Sequence, residues 1–553
     1  MDIEHKILFS IESLISDANK TRIQEVSELI KLVPKKVAVW YGLAIANYTE
    51  DDDIRVQLDT LKFSEGAKNF VTHILATKQL DAKYILCKPQ TGLELLKYVF
   101  SIPKEDHISD GEGETWNDFP LLFAILSINS ILTANNAHWD KSILRSSKII
   151  RSRGYEIDDR VPIYATIFRM FCLLHFFEQN NDNQWSLLEK ALTKDLRAQS
   201  LRDYIKTVLK VLNYLTFGPK SDFQIFRTDS DDAIYHNLLK LLSIGVDDVI
   251  LLKDNQDYTY FKTHPVVQFS SNEYGFINNI FVANQLYTSL KFRMSTICKK
   301  SNIFKNFLAL FNKAFVEKYL LNEVLRYAFI QNREVVYLNE DACESRIIEY
   351  NDTHNSNFST DGLPDTYIRR NNKILLIECK GKTVSSNAIE DENIFIEDVN
   401  EDIVGEKKGT GQIISYCNRV INGGFVCDND IPTNYMIYPL IVVDDPKLCS
   451  DGVNRYVIQR TGEYVRQNIE HIQPFTVIDI DTLILIIELI KNSELDIYEQ
   501  IEQYHTYIAG KQENYSLNEI LYYSDISFAA YIMDKFETRS PAIIDDWFKN
   551  LQD

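Results

Sequence analysis

A short apolar run that ends in two charges, Ile374-Leu-Leu-Ile-Glu-Cys-Lys380, constrains this chain more than any other segment. Its length and β-rich composition predict a buried strand. Side chains alternate along a strand, so Ile374, Leu376, Glu378 and Lys380 share one face. Just upstream, Asn371-Asn372 has the residue types of a two-residue hairpin turn. That turn pairs Arg370 with Lys373 and sets Asp365 directly opposite Glu378. Two carboxylates about 5 Å apart between Cβ atoms repel each other, and a buried, unpaired carboxylate is costly. A fold keeps such a pair when something cationic sits between them. Lys380, one step along the same face, is a partial answer. A divalent metal held by carboxylate oxygens is a fuller one.

The residues around this hairpin resemble a known pattern. Pro364-Asp365 followed by Glu378-Cys379-Lys380 is similar to the signature of the PD-(D/E)XK nuclease superfamily. Downstream, Gln412-Ile-Ile-Ser-Tyr416 resembles the QxxxY motif of its RecB-like branch, and upstream Phe315-Val-Glu317-Lys-Tyr319 resembles the helical segment that supplies an extra acidic residue. The likeness runs from Asn302 to Asp445, roughly a quarter of the chain. It departs from the pattern at Val316, which separates Glu317 from the aromatic residue it usually follows; Glu323, Glu344 and Glu349 are the other acidic residues nearby. No residue here corresponds to the helical histidine common in that branch.

The resemblance implies a catalytic set of Asp365, Glu378, Lys380, Glu317, Gln412 and Tyr416. It implies Mg²⁺ or Mn²⁺ as cofactor, with Asp365, Glu378, the backbone carbonyl of Cys379, and Glu317 as ligands. Carboxylate-bound magnesium can position a water, neutralise charge at phosphorus and assist the leaving oxygen. Lys380 is expected to orient or deprotonate the attacking water and to stabilise developing charge. One competing motif fails. Gly381-Lys382-Thr383 imitates the end of a phosphate-binding P-loop, but the earlier glycine would fall at Leu376.

The remaining sequence bounds the context. At 553 residues the chain is too long for a single core. Residues 1–220 show helical periodicity, for example at Ile7–Ile15, Leu121–Leu132 and Ile163–Phe177, and are expected to form an all-α sensor or oligomerisation domain. Residues 221–300 read as a mixed connector, with strand character at Tyr258–Phe269 and a helix at Asn278–Phe292. An α/β nuclease-like core is expected over 301–450, opening on a long helix at Asn302–Ile330. Ser386–Lys408 reads as an acidic, solvated loop, and Gly411–Ile421 as a helix with Thr410 as its N-cap. An α-rich extension follows over 451–553.

Eight scattered cysteines without a CxxC pair suit a reducing compartment. The N-terminus, Met-Asp-Ile-Glu-His-Lys, lacks the features of a signal peptide, and no apolar run is long enough to span a bilayer. A cytoplasmic protein without a membrane partner is expected. The net charge of −20 is unusual for a nucleic-acid enzyme. Its one basic stretch, Lys291 to Lys318, adjoins the nuclease-like region, so substrate binding is expected to be weak or gated. The sequence thus points to a regulated, metal-dependent endonuclease acting on DNA. By analogy it resembles restriction-like or antiphage defence effectors, working as a homo-oligomer or with a partner protein bound through the N-terminal domain. The alternatives are a structure-specific repair nuclease or RNase on the same fold, or a non-catalytic helical scaffold with a degenerate nuclease domain.

Overall fold

The computed structural model describes residues 7–8, 26–48, 53–77, 84–109, 117–137, 163–180, 182–217, 225–228, 233–250, 258–330, 334–360, 362–385, 387–388, 391–512, 526–537 and 539–552. The chain divides into two compact units. One comprises 1–141, 152–159 and 190–293; the other comprises 142–151, 160–189 and 294–553. Both mix helices with a sheet. The units cut the chain differently from the expected boundaries at 220, 300 and 450. Helix Ile163–Gln179 groups with the second unit, and the expected connector groups with the first.

The first unit is helical around a small sheet. Strands β1 (Ile7–Leu8) and β2 (Tyr84–Ile85) pair in parallel, so the expected helix over Ile7–Ile15 begins as strand; residues 9–15 lie outside the described residues. Strands β3 (Ile225–Arg227), β4 (Ser243–Gly245), β5 (Val266–Gln268) and β6 (Glu273–Phe276) form a sheet ordered β3-β6-β5-β4. This sheet falls where a mixed connector was expected, and within 1–220 the described elements are helical apart from the short β1–β2 pair. Tyr258–Phe269, expected as strand, is a short helix, Thr259–Thr263, followed by β5. The helix expected at Asn278–Phe292 is broken at Tyr287 between Asn284–Leu286 and Thr288–Ser301. Helices Lys35–Ala46 and Pro89–Ser101 cross so closely that a Cβ on Gly92 would lie 2.3 Å from the Ala46 nitrogen. Only glycine permits that approach.

The second unit is built on a five-stranded mixed sheet, β11-β10-β9-β8-β7. Its strands are β7 (Val335–Asn339), β8 (Thr366–Arg370), β9 (Lys373–Lys380), β10 (Met436–Val443) and β11 (Thr476–Asp479). The predicted β8–β9 hairpin forms in the predicted register, with Arg370 opposite Lys373. Asn371 adopts φ 56°, a left-handed conformation that asparagine tolerates well. β9 and β10 run parallel in the middle of the sheet and are buried on both faces, which explains their nearly continuous apolar sequences. Parallel pairing demands a long crossover. It carries helices Glu392–Asp402 and Thr410–Ile421.

Helix Glu392–Asp402 corrects the expected loop. Phe395, Val399 and Ile403, four residues apart, are buried in the core of this unit. Lys382 binds Asp398 and Asp402 on the helix at 2.7 and 2.5 Å. The N-cap of the next helix is Gly409, at φ 50°, rather than Thr410. The long helical run begins at Phe307, not Asn302. It is α over Phe307–Phe311, π over Asn312–Leu320 and α again over Leu321–Phe329. All eight cysteines are buried free thiols. Among the described residues, no helix is long and apolar enough to cross a membrane.

Candidate active site

The β8–β9 register continues past Thr366, which faces Ile377, and brings Asp365 alongside Glu378. Asp365 Oδ2 accepts a hydrogen bond from the Cys379 N–H at 2.6 Å, and its carbonyl accepts one from the Glu340 N–H at 3.2 Å. Glu378 is only 3% exposed. Its Oε1 accepts from Lys380 Nζ at 2.6 Å and its Oε2 from the Tyr416 hydroxyl at 3.3 Å. Lys380 Nζ also donates to Gln412 Oε1 at 2.7 Å. Gln412 and Tyr416 lie four apart on helix Thr410–Ile421, so one face presents both to β9, while Ile413, Cys417 and Val420 fill the core.

Glu317 reaches the same place from the π segment. Its Oε1 accepts from the Gly381 N–H, the residue after β9, at 3.2 Å. A π turn holds one residue more than an α turn. Phe315 and Val316 can therefore both be buried while Glu317 meets β9, which accommodates the extra Val316. Gly381 lies so close to this segment that a Cβ would sit 2.6 Å from Asn312 Cβ. The other acidic candidates are elsewhere: Glu323 faces Arg326 at 3.8 Å, and Glu344 and Glu349 are exposed on helix Glu340–His354. All six predicted side chains thus meet at the end of β9, four linked to one another and Asp365 and Glu317 bonded to the backbone beside them.

The electrostatics of the cluster follow from burial. Burial, then the neighbouring Glu378 charge, pushes the Asp365 carboxyl well above its ordinary value. Burial also raises Glu378, against the opposing pull of Lys380, and raises Glu317. Burial disfavours the Lys380 ammonium, but Glu378 outweighs it, so that pKa lies above its usual value. Burial raises the Tyr416 phenol as well. Glu378 is buried and Asp365 and Glu317 are half-buried, and the raised pKa values of the three carboxyls express first this loss of solvent and then their mutual repulsion.

Among the described residues, no three His, Cys, Asp or Glu side chains are gathered closely enough to hold a metal ion as they stand. The chemistry of the donor set does fit one. Its oxygens are hard ligands of the kind Mg²⁺ and Mn²⁺ prefer. Asn312 Oδ1, beside Gly381, is a buried acceptor without a donor among the described residues. A separate cavity of about 200 Å³, lined by Phe358, Leu363, Arg419, Phe425 and Cys427, includes none of the cluster's residues.

One part of the site was not anticipated. Arg169, 4% exposed on helix Ile163–Gln179, donates to Asp444 Oδ1 and Asp481 Oδ1, each at 2.5 Å. Asp444 directly follows β10, and its N–H donates to the Lys380 carbonyl at 3.0 Å. On the same helix, Phe176 packs against Phe315 and Tyr319, which flank Glu317, with ring centroids 5.5 and 5.4 Å away. The sequence signals were a lone arginine within an apolar helix and a pair of aspartates closing an apolar strand. Compared with known proteins, the chain matches no family model, no curated protein and no solved structure.

Proposed function

We propose that this chain is a Mg²⁺- or Mn²⁺-dependent nuclease that hydrolyses DNA phosphodiester bonds on a PD-(D/E)XK-like core. The observation that carries the reading is the convergence of six side chains on the end of β9: Glu378, Lys380, Gln412 and Tyr416 are linked by hydrogen bonds, and Asp365 and Glu317 accept from the Cys379 and Gly381 N–H groups beside them. A surface-charge role does not explain why three carboxyls share a desolvated place with one lysine.

Asp365, Glu378, the Cys379 carbonyl and Glu317 would hold the ion. When bound, it supplies charge neutralisation at the phosphate and a more acidic water. The protein's own contribution begins with Lys380. Its ammonium is fixed by Glu378 and Gln412, and its raised pKa keeps it charged at neutral pH. In that state it donates hydrogen bonds: it orients the attacking water and stabilises negative charge on the phosphoryl oxygens. Tyr416 holds the second oxygen of Glu378, which fixes the carboxylate's orientation. Glu378 and Tyr416 are buried, and the low-dielectric surroundings strengthen the interactions they make.

The test is cleavage of supercoiled plasmid by purified protein. Nicking or linearisation with Mg²⁺ or Mn²⁺, abolished by EDTA and by Asp365→Ala, is expected. Cleavage that survives either treatment rules the mechanism out. The same assay on single-stranded RNA separates a deoxyribonuclease from a ribonuclease.

A further inference from the structure

The basic stretch Lys291–Lys318 is sorted by its surroundings. Lys291 is buried, Arg293 binds Asp195 at 3.0 Å, and Lys318 binds Glu340 at 2.9 Å. Lys299, Lys300, Lys305 and Lys313 remain. All four are exposed, and none makes a hydrogen bond or ion pair among the described residues. This is exceptional within the second unit, where most described cations are engaged. Arg369 is held by Asp428, Lys373 by Glu502, Lys408 by Asp402 and Lys447 by Asp445. Lys407 is the comparable lysine outside the run.

In a chain of net charge −20, acidic partners for four lysines are not scarce. Over residues 299–313, four exposed lysines follow one another along the chain without an ion pair among the described residues. The run ends at the proposed site: Lys313 lies in the π segment four residues before Glu317 and close enough for its charge to act on that carboxyl. Lysines are flexible point charges, so they suit phosphates rather than base edges.

We propose that Lys299, Lys300, Lys305 and Lys313 form the track that holds the phosphodiester backbone of a nucleic acid as it enters the Glu317–Lys380 cluster. This rests on the nuclease reading for its destination, not for its chemistry. Recognition along the track is independent of sequence and falls steeply with salt.

The experiment measures binding of full-length Asp365→Ala protein to a fluorescent 30-base-pair duplex, and to RNA of the same sequence, by anisotropy between 50 and 200 mM KCl. The parent is compared with a variant that also carries Lys299→Gln, Lys300→Gln, Lys305→Gln and Lys313→Gln, and with a Lys407→Gln control. The quadruple variant is expected to bind at least about 10-fold more weakly, with a log–log salt slope shallower by about 0.9 per lost duplex contact. Lys407→Gln is expected to bind as the parent does. Loss with either polymer supports the track, and the tighter-bound polymer names the substrate. An unchanged affinity and slope in the quadruple variant overturns it, as does a parent that binds neither polymer. Cleavage by the wild type alongside unchanged binding by the quadruple variant refutes the track and leaves the nuclease. Lysine-dependent binding without any cleavage by the wild type refutes the nuclease and leaves the track.

Discussion

Arg169→Met isolates the contribution of helix Ile163–Gln179. The guanidinium is 4% exposed and bridges Asp444, 6% exposed, and Asp481. Methionine keeps much of the side-chain length and removes the charge, so two buried carboxylates lose their cation. Breaking a buried ion pair from one side costs about 3–5 kcal/mol. For a unit of this size that lowers the melting temperature by about 5–8 °C. The deficit has a pH signature. Burial already pushes Asp481 up to about 6, with Arg169 opposing it. Without Arg169, Asp481 rises further above its unfolded value. The folded variant then binds more protons than the unfolded chain, and stability is regained as pH falls from 7 toward 5. Adding Asp444→Asn and Asp481→Asn removes the stranded charges and is expected to recover part of the loss. Differential scanning fluorimetry at pH 5, 6 and 7 measures all of this. A melting temperature within 2 °C of wild type at pH 7, or a triple variant no better than the single, refutes the reasoning. The same contact bears on removal of the first 215 residues. Deleting them removes Arg169 and Phe176, and with them the packing behind Glu317 and Lys380, so such a truncation is expected to lose intrinsic activity.

Other outcomes follow from single contacts. Lys380→Ala is expected to abolish cleavage, and thermal melting measured beside the rate separates loss of chemistry from loss of the Glu378 ion pair, whose removal costs about 1–3 kcal/mol. Gly381→Ala places a Cβ 2.6 Å from Asn312 Cβ and is expected to lower both stability, by about 1–3 kcal/mol, and cleavage rate, through displacement of Glu317. His505, half-buried with its Nε2 2.9 Å from the Thr476 hydroxyl, has its pKa lowered by loss of solvent from 6.5 to about 4. The unfolded chain therefore binds the extra proton between those values, and stability falls as pH drops from 6.5 toward 4, by about 3 kcal/mol in all. His505→Gln is expected to flatten that part of the profile in urea titrations.

The hairpin carrying Asp365 and Glu378 was legible because a period-two strand and an Asn-Asn turn fix the register from nearest neighbours alone. Helix Thr410–Ile421 was legible from its four-residue spacing of Gln412, Tyr416 and the apolar positions between them. Other features were hidden for distinct reasons. The acidic side chains of Ser386–Lys408 masked Phe395, Val399 and Ile403, whose spacing is that of a buried helix face. The π winding over Asn312–Leu320, which lies against Gly381, leaves no local mark in the sequence. The Arg169–Asp444 contact joins residues 275 positions apart, beyond the reach of any periodicity. The small sheet of the first unit is made of strands three or four residues long, too short for alternation to stand out.

The central claim is that Asp365 and its neighbours hold a divalent cation. Mn²⁺ binding followed by electron paramagnetic resonance tests this without reference to cleavage, and so is immune to contaminating nucleases. The account predicts that the wild-type protein takes up Mn²⁺, that Mg²⁺ competes for the same site, and that Asp365→Asn and Glu378→Gln each lose it while remaining folded by circular dichroism. Wild-type protein that fails to bind Mn²⁺, or an Asp365→Asn variant that binds it as tightly as wild type, contradicts the account.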